Sequence, residues 1–260
     1  MAHCKAPEQP MPIPTASMAH LKIQSPDPSS PASRPSMQDP NGTWLLEKHL
    51  SSNIPLLLKL QKIPFLIRHA ITSSPVHLIL TQYTETDAKG QAQTHLDLIQ
   101  RTAGTLSLPV IEDKRVLDWV EREHEDIVFG KLLTRSVFVR GNVSDKGAVR
   151  PDLEVNVRVR EGQEVIERFL RGEIDVDGGQ TDGFLVEEEE GVETGADEGG
   201  KGLWVHTLEI NEKSAWRAET VWGFEMVKGE RYLTSRVVVA NGKGKYQLGR
   251  MVFKFLSRED

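Results

Sequence analysis

The sequence predicts an all-β domain: one closed antiparallel barrel of about ten strands, preceded by a proline-rich tail. Three observations carry this. Runs of β-branched, aliphatic and aromatic residues recur from Val76 to Leu256, separated by turn residues. Several alternate apolar with polar positions, the period of a strand with one buried and one wet face. Helix-like spacing is confined to one stretch near the start, so no strand–helix alternation points to a parallel sheet. About ten strands with short turns argue for a sandwich or a barrel.

The elements follow in order. Residues 1–40 hold nine of the 14 prolines, with many Ser and Ala. Such a segment buries too little apolar surface to offset its ordering entropy, and disorder is expected. The ordered domain is expected over 41–260, opening with a short strand at Gly42-Thr-Trp44-Leu-Leu-Glu-Lys48. Residues 51–72 read as a helix–turn–helix. Ser51 or Ser52 suits a cap, and Ile54, Leu57, Leu58, Leu60 and Ile63 recur at helical spacing. Pro64 breaks the pair because it lacks the amide hydrogen a helix interior needs. Phe65, Leu66, His69 and Ala70 continue as the second helix, which Pro75 ends.

Strands are then expected at Val76–Tyr83, Gln93–Thr102, Arg115–Arg122 and Ile127–Arg140, with a turn at Asp87–Gly90. Leu153, Val155, Val157 and Val159 alternate with Glu154, Asn156, Arg158 and Arg160 and predict another strand. Glu164–Val176 reads as a strand or a short helix. Residues 177–202, with eight Gly and the run Glu187–Glu190, read as a long solvated loop inserted in the barrel. They lack the Asp-x-Asp-x-Asp-Gly spacing of a calcium loop. Leu203–Ile210 and the Trp216–Met226 alternation follow. Tyr232–Ala240 and Lys245–Leu256 flank Asn241-Gly242, a strong hairpin signal.

Charge and cysteine content narrow the function classes. The net charge of -6 is local, because residues 182–198 hold eight acids and no Lys or Arg. No basic stripe marks a nucleic-acid binder. The one cysteine, Cys4, excludes a disulfide within the chain and fits a reducing, cytoplasmic setting. No apolar run suggests a secretory leader or approaches the ~18–20 residues of a membrane span. The sequons at Asn41 and Asn142 are then expected to be chance matches.

Motifs for cofactor or metal chemistry are missing. There is no Gly-x-Ser-x-Gly elbow, no Gly-x-Gly-x-x-Gly or Walker loop, and no His-x-x-x-His or Cys-x-x-Cys spacing. No cofactor and no metal are expected. His124, set among Glu121, Glu123, Glu125 and Asp126, is the one catalytic candidate, since nearby carboxylates favour its charged form. The alternative is that residues 122–126 form an exposed charged turn. Tyr83, Trp119, Trp216, Trp222 and Phe224 could line a cavity or simply fill the core. Arg122 joins the cavity candidates if its strand runs inward. Arg101, Arg135 and Arg236 fall within strands, where an outward guanidinium is ordinary and an inward one requires a partner or an anionic ligand.

The order strand, helix–turn–helix, strand meander resembles the plan of intracellular fatty-acid-binding proteins, in which the helix pair lies over the barrel mouth. Asn41-Gly42-Thr43-Trp44 resembles the start of those chains, and Gly42-x-Trp44 the Gly-x-Trp signature of lipocalins. The closing Arg250-Met-Val-Phe253-Lys-Phe resembles their last strand. Leu117-Asp118-Trp119-Val120-Glu121-Arg122-Glu123-His124-Glu125-Asp126, followed by Phe129-Gly130, is similar to a segment of fungal lipocalin-like proteins. The resemblance covers the two ends of 41–260 and implies a calycin-type barrel plugged by Trp44. It departs in one respect: the Arg-x-Tyr pair that holds a fatty-acid carboxylate becomes Arg250-x-Val252. Tyr232 and Arg236, on one face of the preceding strand, are the candidate substitutes.

The expected function is binding of a hydrophobic small molecule, a lipid or a polyketide- or terpenoid-like metabolite, in the barrel. Tyr83, Trp119, Arg122, Trp222, Tyr232 and Arg236 are the expected ligand contacts. The alternative is a cofactor-free cyclase or isomerase of fungal specialised metabolism that folds a reactive substrate into shape. An interaction protein acting through its acidic loop or its tail is the third reading.

Overall fold

Most of the eleven strands carry apolar residues at every second position and bury that face against one another. The computed structural model describes residues 34–103, 108–143, 147–187 and 200–258. From Pro35 onward they belong to one compact unit. The elements are β1 (Gly42–Leu46), α1 (Ile54–Leu60), α2 (Phe65–Ser73), β2 (Val76–Thr86), β3 (Ala92–Thr102), β4 (Ile111–Val116), β5 (Arg122–Asp126), β6 (Gly130–Val143), β7 (Val149–Pro151), α3 (Gln163–Leu170), β8 (Lys201–Asn211), β9 (Trp216–Val227), β10 (Glu230–Asn241) and β11 (Tyr246–Ser257).

The strands form a single sheet in the order β4-β3-β2-β1-β11-β10-β9-β8-β6-β5, with β7 added to β6. Every ladder is antiparallel. The sheet rolls up. β1 and β9 stand three ladder steps apart, about 14 Å in a flat sheet, yet the Trp44 and Phe224 rings lie 5.9 Å apart. One apolar cluster joins Leu96 and Leu98 of β3, Leu78 of β2, Trp44, Phe253 of β11, Leu233 of β10, Phe224 and Val205 of β8. The concave face therefore folds onto itself.

The expected closed barrel is an open, rolled sheet in its ladder, with β4 and β5 as the two edges. The interruption is local. Val116 still pairs with His95 of β3. The amide of Leu117 donates to Thr94 at 2.8 Å, and Leu117 itself bridges Ser136 of β6. Trp119 then turns with φ 60 and its amide donates to Ser136 at 2.8 Å. The chain thus leaves one flank of the sheet and joins the other within three residues. The single strand expected at Arg115–Arg122 is this corner between two short strands.

Both ends of the roll are covered. At one, Trp44 is buried, its indole N–H donating to the carbonyl of Pro40 at 3.0 Å. Met37 is buried in the same cluster. At the other end, α1 sets Leu57 against Leu132, Trp216, Ala218 and Val239. α2 follows Pro64 and packs Ile71 against Leu58 and Ile63. Gly249 makes room for this lid, since a Cβ there would lie 2.4 Å from Leu57 Cδ1.

A second layer lies on the convex face. Leu153, Val155 and Val157 are buried with Trp204, Leu208, Val221 and Val238. Their alternation is as the sequence suggests, but they join no ladder. Side chains satisfy their amides instead: Glu219 accepts from Asn156 and Val157 at 2.7–2.9 Å, and Gln163 from Val159 at 3.1 Å. Of the two readings of 164–176, the helix is present. Ile166, Phe169 and Leu170 of α3 face the sheet fully buried, and Glu164, Glu167 and Arg168 do not. Burying three such side chains stabilises by about 1.5–3 kcal/mol each. Within the stretch expected as a solvated loop, residues 177–180 are exposed, whereas Phe184 is buried and the Leu185 amide donates to the Phe224 carbonyl at 2.6 Å. The Glu188–Glu190 part of the acidic run and the tail up to 33 lie outside the described residues.

Candidate functional site

Cross-strand partners share a face, so the registers sort the side chains into concave and convex sets. Leu233, Ser235 and Val239 of β10 face the roll and are buried, but around Val237 the burial is inverted from the usual order. The convex Arg236 and Val238 are fully buried under the second layer. Val237 between them points into the roll and is only half-buried. Trp222 of β9, Met251 of β11 and Phe138 of β6 are likewise concave and half-buried. The accessible surface these four side chains keep marks a hollow inside the roll.

One wall of the hollow is polar. Arg115 of β4 and Asp113, two residues before it, face inward beside Leu96 and Leu98 of β3. The Arg115 guanidinium crosses the corner of the sheet. It donates to Asp113 Oδ2 through Nε at 2.7 Å, to Thr207 Oγ1 at 2.9 Å and to Glu209 Oε1 at 2.9 Å. A second guanidinium nitrogen lies 2.5 Å from Asp113 Oδ2. Thr207 meets Ser136 of β6 at 3.0 Å. His124 of β5 stands beside them, with Nδ1 3.4 Å from the Thr134 hydroxyl and Nε2 3.9 Å from Asp113 Oδ1. That carboxylate oxygen is buried and has no hydrogen-bond partner.

This wall is buried yet not sealed: the Glu209 and His124 side chains keep 21% and 24% of their surface. Burial pushes the Glu209 carboxyl up to about 7, helped by Asp113 and Asp126 and opposed by Arg115. Burial alone would lower Arg115, but Asp113 and Glu209 outweigh it and hold the guanidinium above its ordinary value. The wall can therefore hold a polar group by hydrogen bonds, and Glu209 can exchange a proton near neutrality.

The convex face carries buried charges of another kind. Arg236 pairs with Glu225 at 2.6 and 3.2 Å and donates to the carbonyls of Ile174 and Phe169 at 2.7 and 3.3 Å. Arg250 adds contacts to Asp175 at 2.9 Å and Glu225 at 3.4 Å. His206 Nε2 lies 2.7 Å from Glu219 Oε1, with the Trp119 ring stacked at 4.7 Å. Burial would raise Glu219, but His206 and the amides of Val157 and Asn156 hold it below the usual carboxylate range. These groups fasten the second layer to the sheet.

The expected ligand contacts fall on both sides. Trp222 faces the hollow, stacked on Phe253 at 5.6 Å. Arg122 shares the concave register of Thr134, but its guanidinium turns to Asp118 at 2.7 Å, 39% exposed at the rim. Tyr83 is on the convex side, stacked on His95 at 5.0 Å. Trp119 and Arg236 are also convex. So is Tyr232, its hydroxyl donating to Glu230 at 2.8 Å. Arg236 is inside the protein without being inside the roll, because a second layer covers its face. His124 is brought to the polar wall. Asp113, Arg115, Thr134, Ser136, Thr207 and Glu209 were not singled out from the sequence. The trace was there in Leu203, Val205, Thr207 and Glu209, where an inward phase turns from apolar to polar.

No group of His, Cys, Asp or Glu able to hold a metal occurs among the described residues. None of the described helices is long and apolar enough to cross a membrane. No family model and no curated protein matches the chain. Among solved structures, a mutant of the REP1-NXSQ fatty acid transporter aligns over 84% of this chain and 99% of its own, at 10% identity and a TM-score of 0.37. That likeness is too slight to assign a ligand.

Proposed function

We propose that the rolled sheet binds a small, largely apolar molecule in its hollow, with the polar part of the ligand at the Arg115–Glu209 wall. The observation that carries this is the local inversion of burial at 236–238, where Val237 is accessible inside the roll and Arg236 and Val238 are sealed outside it. Apolar ligand surface placed against Val237, Trp222, Phe138 and Met251 gains ~25 cal/mol per Å². The corner at Leu117–Trp119 acts as the closure of a calycin-type barrel, and the α1–α2 pair as its lid. A cytoplasmic setting belongs to the same reading and rests on the single cysteine.

The test is titration with the neutral fluorophore N-phenyl-1-naphthylamine. Wild-type protein gives saturable fluorescence. Val237→Trp fills the hollow and lowers affinity at least about tenfold, which is 1.4 kcal/mol, while circular dichroism stays unchanged. Absence of saturable binding, or binding indifferent to Val237→Trp, refutes the proposal.

Glu209 beside His124 favours a second reading, a cofactor-free isomerase or cyclase. In it the shape of the hollow holds the substrate in a reactive conformation, and Glu209 moves a proton. Glu209→Gln then abolishes turnover and leaves fluorophore binding intact.

A further inference from the structure

The second layer stops short of one end of the convex face. Arg217 of β9 has the same strand phase as Glu219 and Val221 and pairs with Ala240 of β10. Glu219 and Val221 are fully buried, yet Arg217 is exposed. A cleft of about 1010 Å³ opens there. One wall is the chain 157–161. The other is made by the β8–β9 turn with Arg217 and the β10–β11 turn with Lys243. Hydrogen bonds fix these turns. The Gly242 amide donates to the Ala215 carbonyl at 2.8 Å, and Asn241 Oδ1 accepts from the amides of Lys243 and Lys245 at 3.0 and 3.1 Å. The wall is preformed, so little ordering cost falls on a ligand.

The charge of the cleft opposes that of the chain. The protein carries a net charge of -6, but Arg158, Arg160, Arg217 and Lys243 line the cleft against Glu161 and Glu212. Arg158 reaches Glu154 at 3.2 Å, whereas Arg160, Arg217 and Lys243 form no ion pair among the described residues.

The chain beside the cleft also has main-chain groups to spare. α3 lies along its other side, where Gln163 accepts from the Val159 amide at 3.1 Å and Arg171 donates to the Leu153 carbonyl at 3.3 Å. No residue of α3 lines the cleft. Among the described residues, the amide and carbonyl of Arg158 and the amide of Arg160 have no protein partner. An extended chain with open main-chain groups along one edge is a template for another strand.

We infer that this cleft binds an extended acidic peptide segment of a partner protein. The peptide backbone pairs with Arg158 and Arg160, and its carboxylates meet Arg160, Arg217 and Lys243. Main-chain hydrogen bonds supply affinity, and the cations select for acidic side chains. The site is separate from the hollow on the concave face, so Val237→Trp leaves it unchanged.

The experiment is fluorescence anisotropy of a fluorescein-labelled hexapeptide of alternating glutamate and valine, titrated with the full chain. Saturable binding is expected. Arg217→Glu with Lys243→Glu, both at exposed positions, should weaken it at least about tenfold with circular dichroism unchanged. The same peptide N-methylated at every residue keeps its side chains but loses its main-chain donors. It should bind wild type at least about tenfold more weakly. Absence of saturable binding overturns the inference, as does binding that survives the charge reversal. An N-methylated peptide that binds equally well removes the strand pairing and overturns it too. So does a thymidine oligonucleotide of equal charge that displaces the peptide as well as unlabelled peptide does, since the cleft is then a site for any polyanion.

Discussion

Replacing Arg236 by methionine removes the cation that pairs most closely with Glu225. The Arg236 side chain is fully buried, and its partner Glu225 is 2% exposed. After the change, Glu225 keeps only the 3.4 Å contact to Arg250, and the carbonyls of Phe169 and Ile174 lose the donor Arg236 gave them. Breaking one side of a buried pair costs about 3–5 kcal/mol, mostly the penalty of the charge left behind. That is a large part of the ~5–15 kcal/mol that holds a domain folded. Urea unfolding at neutral pH reads it as a lower midpoint at unchanged slope. The double change Arg236→Met with Glu225→Leu removes both charges, and most of the lost stability should return. A single variant within about 1 kcal/mol of wild type, or a double variant no better than the single, would show that the pair does not fasten the second layer.

Further outcomes are expected. The folded-state carboxyl of Glu219 lies below its unfolded value of ~4.3, so it contributes stability above that pH and loses it as pH falls through the folded value. Glu219→Gln should flatten the acid limb of a stability–pH curve measured by urea midpoints. Glu209 has the opposite sign. Its folded value of about 7 means that its contribution is full below ~4.3 and is lost as pH rises toward neutrality. Wild type should therefore lose stability relative to Glu209→Gln across that window, and carbonyl NMR of Glu209 should show the late titration. Gly249→Ala drives a Cβ into Leu57. It should cost about 1–3 kcal/mol and raise amide hydrogen exchange in α1 more than in β3.

The strands were legible where apolar and polar positions alternate. Trp216–Met226 and the Asn241-Gly242 hairpin read directly from alternation and turn chemistry. The stretch from Leu153 to Val159 also reads as a strand, because burial on one side produces the same alternation whether the backbone joins a ladder or not. The Glu219 carboxylate, more than 60 residues away, and the Gln163 side chain show where those amide hydrogens go. The polar wall was harder to see for another reason. Glu112, Asp113, Lys114 and Arg115 are four charges in a row, which reads as a wet surface. On an edge strand of a rolled sheet, however, every second one points inward. The sequence places Tyr232 and Arg236 on one strand face, and the ladder does the same. Which side of the sheet counts as inside depends on a covering layer that strand periodicity does not encode.

The pairing of β1 with β11 has a consequence for how the protein is made. Trp44 lies against Phe255, at a ring distance of 5.0 Å, and its backbone pairs with that of Phe255. During translation the indole therefore leaves the ribosome long before Phe255 can cover it. Until β11 emerges, the edge of β1 is an open template for other strands. A nascent chain stalled before residue 250 is then the form most exposed to aggregation and most dependent on chaperones.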